Sequence, residues 1–363
     1  MSSQGPISAL ARPGWGGGAL LLIAIALPLL LSEYAIGLVA LWLPLVVLAI
    51  SIDLLWGENR IVSFGQGAFF AGGGYIAGLL LKGPAADTTG VNYELLGVGG
   101  GGSSTFDDVI KALSSPAIAG VPILVFPLAV LACGLVGWLV GAAVFRTGSV
   151  EIYAPLITLG VGVVAATVFL DVPQIGGSNG LSGIPAFTRQ LSPGSQSAIY
   201  LFNLTWVAIV YLGYWLFRSS RLGRLWRASG DDPVRLEALG VPVQRLRSAG
   251  FAVSCGLAGL AGALYAGSSG FVSAELAGVI FSVQALIWVA VGGPGLLFGP
   301  LLGVMAIKLG ENFLSERLQE SWQLLLGLLL IAVVLIAPKG LAGVPATVRG
   351  LLSRPSQIGV RRT

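Results

Sequence analysis

The chain has 363 residues, 55% of them hydrophobic and only 10% charged, against roughly 25% charged in an average soluble domain. Its net charge of +4 is too small for a nucleic-acid stripe, and the absence of histidine argues against zinc sites and histidine-based acid-base catalysis. Several apolar runs near or beyond twenty residues make it an all-α polytopic membrane protein, and 54 glycines spread through them predict tight helix packing.

Apolar runs predict eight full crossings, at 18–32, 34–55, 64–82, 117–145, 154–172, 199–217, 248–268 and 322–337. The first, GALLLIAIALPLLL from Gly18, shows no clear cleavage site before the next run and reads as a span, not a signal peptide. Residues 1–17 then form a cytoplasmic amino-terminal segment and 18–338 the membrane domain. Cys133 and Cys255 fall inside separate apolar runs and read as buried small hydrophobes. Asp53 and Asp171 lie near span ends and read as interfacial, and Lys82, Lys308 and Lys339 read as interfacial or packed near span ends. A further stretch, from Phe281 to Gly310, is cut in its middle by Gly292, Gly293, Pro294 and Gly295.

Basic residues give the orientation. The segment 218–247 carries seven arginines against Asp231, Asp232 and Glu237, and the tail 339–363 carries Lys339, Arg349, Arg354, Arg361 and Arg362 with no acid. Both are expected in the cytosol, as is the amino terminus. An even number of crossings must separate the two, so the glycine-broken stretch enters and leaves on the outer side, as a re-entrant loop or two short helices. The loops 83–115 and 173–198 then face outward.

Three motifs stand out. SFGQGAFFAGGGYIAG, from Ser63, places six glycines in sixteen residues at the start of a span. With Ser63, Gln66 and Tyr75 it fits a helix beside a translocation path, and equally a helix packed closely through small residues. GGSNGLSGIP, from Gly176, reads as a turn-rich loop. Its Gly176, Gly177, Ser178, Asn179 and Gly180 form either a rigid docking surface or an ordinary connector. RLGRLWRASG sets Arg221, Arg224 and Arg227 at a three-residue spacing, along one helical face near anionic lipid. Asp231 or Asp232 then supplies an N-cap with Pro233 in the first turn. The helix runs through Val234, Arg235, Leu236, Glu237, Ala238 and Leu239, Gly240 closes it, and Pro242 prevents its resumption. So short a helix needs a partner surface, or else is a solvated connector.

With these stretches read, the chain resembles the LivM-type integral-membrane permeases of bacterial branched-chain amino acid ABC importers. The likeness runs from about residue 30 to 345 and is carried by SFGQGAFFAGGGYIAG, GGSNGLSGIP, GRLWRASGDDPVRLEALGVPVQRLRSAGFAVSCGLAGLAGALYAG, IWVAVGGPGLLFGPLLG and IAPKGLAGV, in that order. It implies a multi-pass protein of the bacterial cytoplasmic membrane, paired with a second, LivH-type permease. Two cytosolic ATPases that bind ATP and Mg would drive it, and an extracytoplasmic binding protein would deliver substrate. The helix from Asp231 to Gly240 matches the family's coupling helix. Gly65, Gln66 and Gly67, with Ser63, Tyr75, Gly292, Gly293 and Gly295, are the expected path-lining residues. No GxxxxGK[ST] loop occurs, so no ATPase site, catalytic residue, metal or cofactor is expected in this chain. Gln66 stands where family members often have histidine, and an amide carries neither a proton nor a charge. The related urea-importer permeases share IWVAVGG and are the alternative. An ion-coupled secondary transporter would want a buried ionisable pair, and an intramembrane enzyme a catalytic constellation; neither is evident in the sequence.

Overall fold

The computed structural model describes residues 24, 27–28, 31–82, 122–146, 150–172, 175–187 and 195–318. The segments expected at 1–17, 83–115, 322–337 and 339–363 lie outside the described residues, as does most of 18–32. The chain divides into a first unit, residues 1–286, and a second, 287–363. In the first lie α1 (Glu33–Asn59), α2 (Gln66–Lys82), α3 (Pro122–Val144), α4 (Val150–Asp171), α5 (Gln196–Ser219), α6 (Arg221–Asp231), α7 (Pro233–Ala238) and α8 (Val243–Ser269). α9 (Val279–Gly292) begins in the first unit and ends in the second, which also holds α10 (Gly299–Leu318). The helices α1, α3, α4, α5 and α8 are long and apolar enough to cross a membrane, and α2 and α9 are shorter apolar helices. A polytopic membrane protein follows.

Two expectations change. The helix α8 starts at Val243 rather than 248, because Pro242 sits at its N-cap and opens the helix instead of delaying it. A proline without an N–H costs nothing in the first turn, where that donor has no partner. The glycine-broken stretch is indeed two helices, but α10 is not short: it has 20 residues. Gly293 and Gly295, at φ 105° and 76°, make the break in a backbone region that side chains disfavour.

In the first unit α8 packs against α3, α2 and α1, and α1 also packs against α5. Glycines set the separations. A Cβ at Gly262 of α8 would overlap the Phe70 carbonyl of α2, one at Gly73 of α2 would overlap Gly259, and one at Gly137 of α3 would meet Cys255. Lipid tails are as apolar as the helix surfaces, so such close packing, and not apolar burial, is the main attraction between spans. Both cysteines are buried and free. Bulky side chains remain exposed on the outer belt, among them Leu131 and Leu135 of α3, Leu156 and Val164 of α4, and Leu212 of α5.

Within α1, Pro44 interrupts the backbone ladder, and the carbonyl one turn back, that of Ala40, loses its donor. Asn203 of α5 replaces it: its Nδ2 donates to the Ala40 carbonyl at 2.8 Å and to Ser268 Oγ of α8 at 2.7 Å. One amide thus ties three helices together at a built-in defect.

In the second unit, α10 folds back onto the end of α9 through Gly292 and Gly303, whose missing side chains leave room for the carbonyls of Gly299 and Trp288. Lys308 lies midway along α10, pairs with Glu311 at 2.7 Å and sits 5.1 Å from the centre of the Trp288 ring.

Candidate functional site

The charged segment 218–247 forms an arm at one end of the first unit. Ser220 caps α6 by accepting from the Gly223 N–H at 3.1 Å. Asp232, not Asp231, caps α7: its Oδ1 accepts from the Arg235 N–H at 3.0 Å, and its own N–H donates to Ala228 of α6. Pro233 occupies the first turn, and Gly240, at φ 83°, ends the segment. Leu236 is turned inward and is 6% exposed, whereas Val234 and Leu239 are 75% and 74% exposed. Arg235, Glu237 and Ala238 are exposed beside them, and an open groove lined by Glu237 and residues 240–245 adjoins α7. The arm therefore presents two unpartnered apolar side chains amid charge, on a helix too short to hold itself without its caps.

The base of the arm corrects two expectations. Asp53 is fully buried rather than interfacial, and its Oδ2 accepts from the Tyr214 hydroxyl of α5 at 2.6 Å. Arg227 does not join Arg221 and Arg224 on a lipid-facing stripe. It turns toward Glu58 of α1, whose carboxylate receives Arg218 Nε at 2.9 Å and Arg227 Nε at 3.4 Å, with the Tyr214 hydroxyl 3.3 Å away. Beside this cluster Asn59 Nδ2 donates to the Trp226 carbonyl at 2.6 Å and to Ser229 Oγ at 2.7 Å. Trp226, itself buried, donates its Nε1–H to the Leu54 carbonyl at 2.9 Å, and Arg247 of α8 donates to the Ser229 carbonyl.

The glycine-rich motif begins α2 in the middle of the first unit. Its first amides find hydroxyls on other segments: Phe64 N–H donates to Thr158 Oγ1 at 3.1 Å, and Gly67 N–H to Ser282 Oγ at 3.0 Å. The Ser63 hydroxyl, also buried, accepts from the Gly65 N–H at 3.4 Å. A Cβ at Gly65 would come within 2.6 Å of the Thr158 carbonyl, and one at Gly67 within 2.7 Å of the Leu276 carbonyl. Gln66 is fully buried; its Nε2 donates to Ser254 Oγ at 3.0 Å, and that hydroxyl donates on to the Ser51 carbonyl at 2.6 Å. Gln66 Oε1 and the Tyr75 hydroxyl are buried without a hydrogen-bond partner among the described residues. Close packing is what surrounds Gly65 and Gly67, and the polar atoms left over belong to Gln66 and Tyr75. Gly292, Gly293 and Gly295 lie in the second unit.

At the other end of the first unit, Gly176, Gly177 and Gly180 all have positive φ, and Gly177–Asn179 is a 3-10 turn. Leu181–Ser182 pairs antiparallel with Phe271–Val272, which pins the turn to the end of α8. Gly180 packs under Val272 and the Phe271 ring, leaving Ser178 and Asn179 exposed at the tip.

Sequence reading missed Glu58, Asn59, Tyr214, Arg218, Thr158, Ser254 and Ser282. Each is a polar residue within or at the end of an apolar run, and that was the available signal.

Residues 34–334 match the family described as the permease component of the branched-chain amino acid transport system. The chain is 26% identical over 348 residues to the high-affinity branched-chain amino acid transport system permease protein LivM of Salmonella typhimurium, covering 89% of this chain and 73% of that protein. The LivM protein of Escherichia coli K12 matches with the same identity and coverage. The autoinducer 2 import system permease protein LsrC of Salmonella paratyphi B is 29% identical over 167 residues, 44% of this chain and 48% of that protein. No solved structure matches the chain.

Proposed function

The chain belongs to the family of branched-chain amino acid transport system permease components, and from that premise we propose that it is the LivM-type permease subunit of an ATP-driven importer that moves branched-chain amino acids inward. The observation that carries this reading is the extent of the match, residues 34–334, which takes in the capped arm as well as the membrane helices. Arginine enrichment puts that arm in the cytosol, where Val234 and Leu239 of α7 dock on a partner ATPase. ATP and Mg are bound there and not on this chain. A LivH-type permease completes the conduit, and an extracytoplasmic binding protein docks on the turn bearing Ser178 and Asn179.

Gln66 Oε1 and the Tyr75 hydroxyl are the polar atoms that water or a passing amino acid would meet when α2 moves, since a buried polar atom without a partner favours any donor or acceptor that reaches it. Gly292, Gly293 and Gly295 supply a backbone of similar use in the second unit. Cargo selection rests mainly with the binding protein, because the proposed path offers few charges. The test is uptake into proteoliposomes containing this chain, its neighbouring permease and ATPases, with leucine, isoleucine, valine and urea compared. Uptake that needs both ATP and a binding protein loaded with a branched-chain amino acid is the expected result. ATP-independent uptake driven by an ion gradient, or uptake of urea alone, would overturn it.

A further inference from the structure

The charged cluster at the base of the arm joins it to α1, the most enclosed of the candidate spans described in the first unit. Two acids, Asp53 and Glu58, face two arginines, Arg218 and Arg227, around the Tyr214 hydroxyl, so the set is neutral overall. Glu58 touches both arginines, one from the end of α5 and one from α6. Glu58 is buried while Arg218 and Arg227 are partly exposed, so it is the acid that would be left uncompensated if its partners were removed, and this favours one geometry of the set. The neighbouring bonds from Asn59 to Trp226 and Ser229, and from Trp226 to Leu54, fix the same two segments to each other. A Cβ at Gly230 would meet the Asn59 backbone at 2.7 Å, so α6 lies directly on the end of α1. Asp232 then carries the connection onward, as the last cap of α6 and the first of α7.

We propose that Glu58 is a positioning residue for energy coupling: by holding Arg218 and Arg227 together it makes the end of α1 and the α6–α7 arm one rigid body, so that displacement of α7 is delivered to α1. From α1 the displacement continues through the Ser51 carbonyl to Ser254, and through Ser254 to Gln66 at the start of the glycine-rich helix. Chains of packed side chains, hydrogen bonds and ion pairs are physical carriers of such coupling. This inference rests on the importer reading.

The experiment compares Glu58→Gln with the unaltered protein in the complete reconstituted complex, reading substrate moved per ATP hydrolysed, ATPase stimulation by loaded binding protein, and thermal stability. Glu58→Gln keeps the shape and removes the charge that holds the arginines. Substrate moved per ATP is expected to fall about tenfold while the ATPases stay bound and active, since the buried carboxylate that draws the two arginines together is gone. Arg60→Gln, which breaks only the exposed pair between Arg60 and Asp231, is expected to change that ratio less than about twofold. An unchanged ratio in Glu58→Gln, with or without lower stability, would overturn the inference and leave the cluster a fastening only. Should Glu58→Gln fail to assemble, Arg227→Gln, which removes one arm of the latch, carries the same test with the same two outcomes. Failure of the unaltered complex to show ATP-driven uptake would count against the importer reading, and is distinguishable because it precedes any variant.

Discussion

A methyl group at position 262 has no room. Its Cβ would sit inside the Phe70 carbonyl of α2, and backbone cannot rotate away as a side chain does. Gly262→Val is therefore expected to destabilise the protein by about 1–3 kcal/mol or more, seen as a lower melting temperature in detergent. Gly160→Ala, on an open face of α4 with nothing within 4 Å, is expected to leave melting unchanged or raise it slightly, because alanine favours a helix. Other single residues stay hidden in the sequence because their partners are remote along the chain. Asp53 reads as interfacial because it is near the end of an apolar run, but its partner Tyr214 is 161 residues away along the chain. No local pattern encodes a pairing of that separation.

Among the elements, α7 divides its residues more sharply than its composition implies. Six residues are too few for a period to show which face is buried, so Leu236 reads as one more apolar side chain among three; the fold turns it inward and leaves Val234 and Leu239 out. Val234→Asp with Leu239→Asp is expected to abolish ATPase association while the permease stays folded, as checked by co-purification alongside a melting curve. Leu236→Asp is expected to lower stability itself, because it buries a carboxylate without a partner. If the double variant kept its ATPases, α7 would not be the docking element. The spans were far more legible than this helix, since lipid demands long apolar runs, whereas their boundaries were not. Val243–Arg247 is polar, so hydropathy places the start of α8 at 248, but the helix continues through those residues and leaves the apolar region with its backbone bonds intact.

For the molecule as a whole, orientation in the membrane can be measured directly. Cysteines introduced at Ser178 and at Arg235, both exposed and at opposite ends of the first unit, are expected to react from opposite sides of the membrane. A charged maleimide applied to intact cells should label the first, and the second only after permeabilisation, with Cys133 and Cys255 silent because they are buried. The reverse pattern would invert the proposed topology. The small size of α7 carries a different consequence. Asp232 and Gly240 close it at both ends using bonds within the chain alone, so its conformation does not wait for whatever docks on it. On the proposed reading its outward face is a cassette, in which substitutions at Val234, Glu237 and Leu239 change the motor recruited without disturbing any membrane helix. Motor and cargo are then free to diverge separately among descendants of one permease.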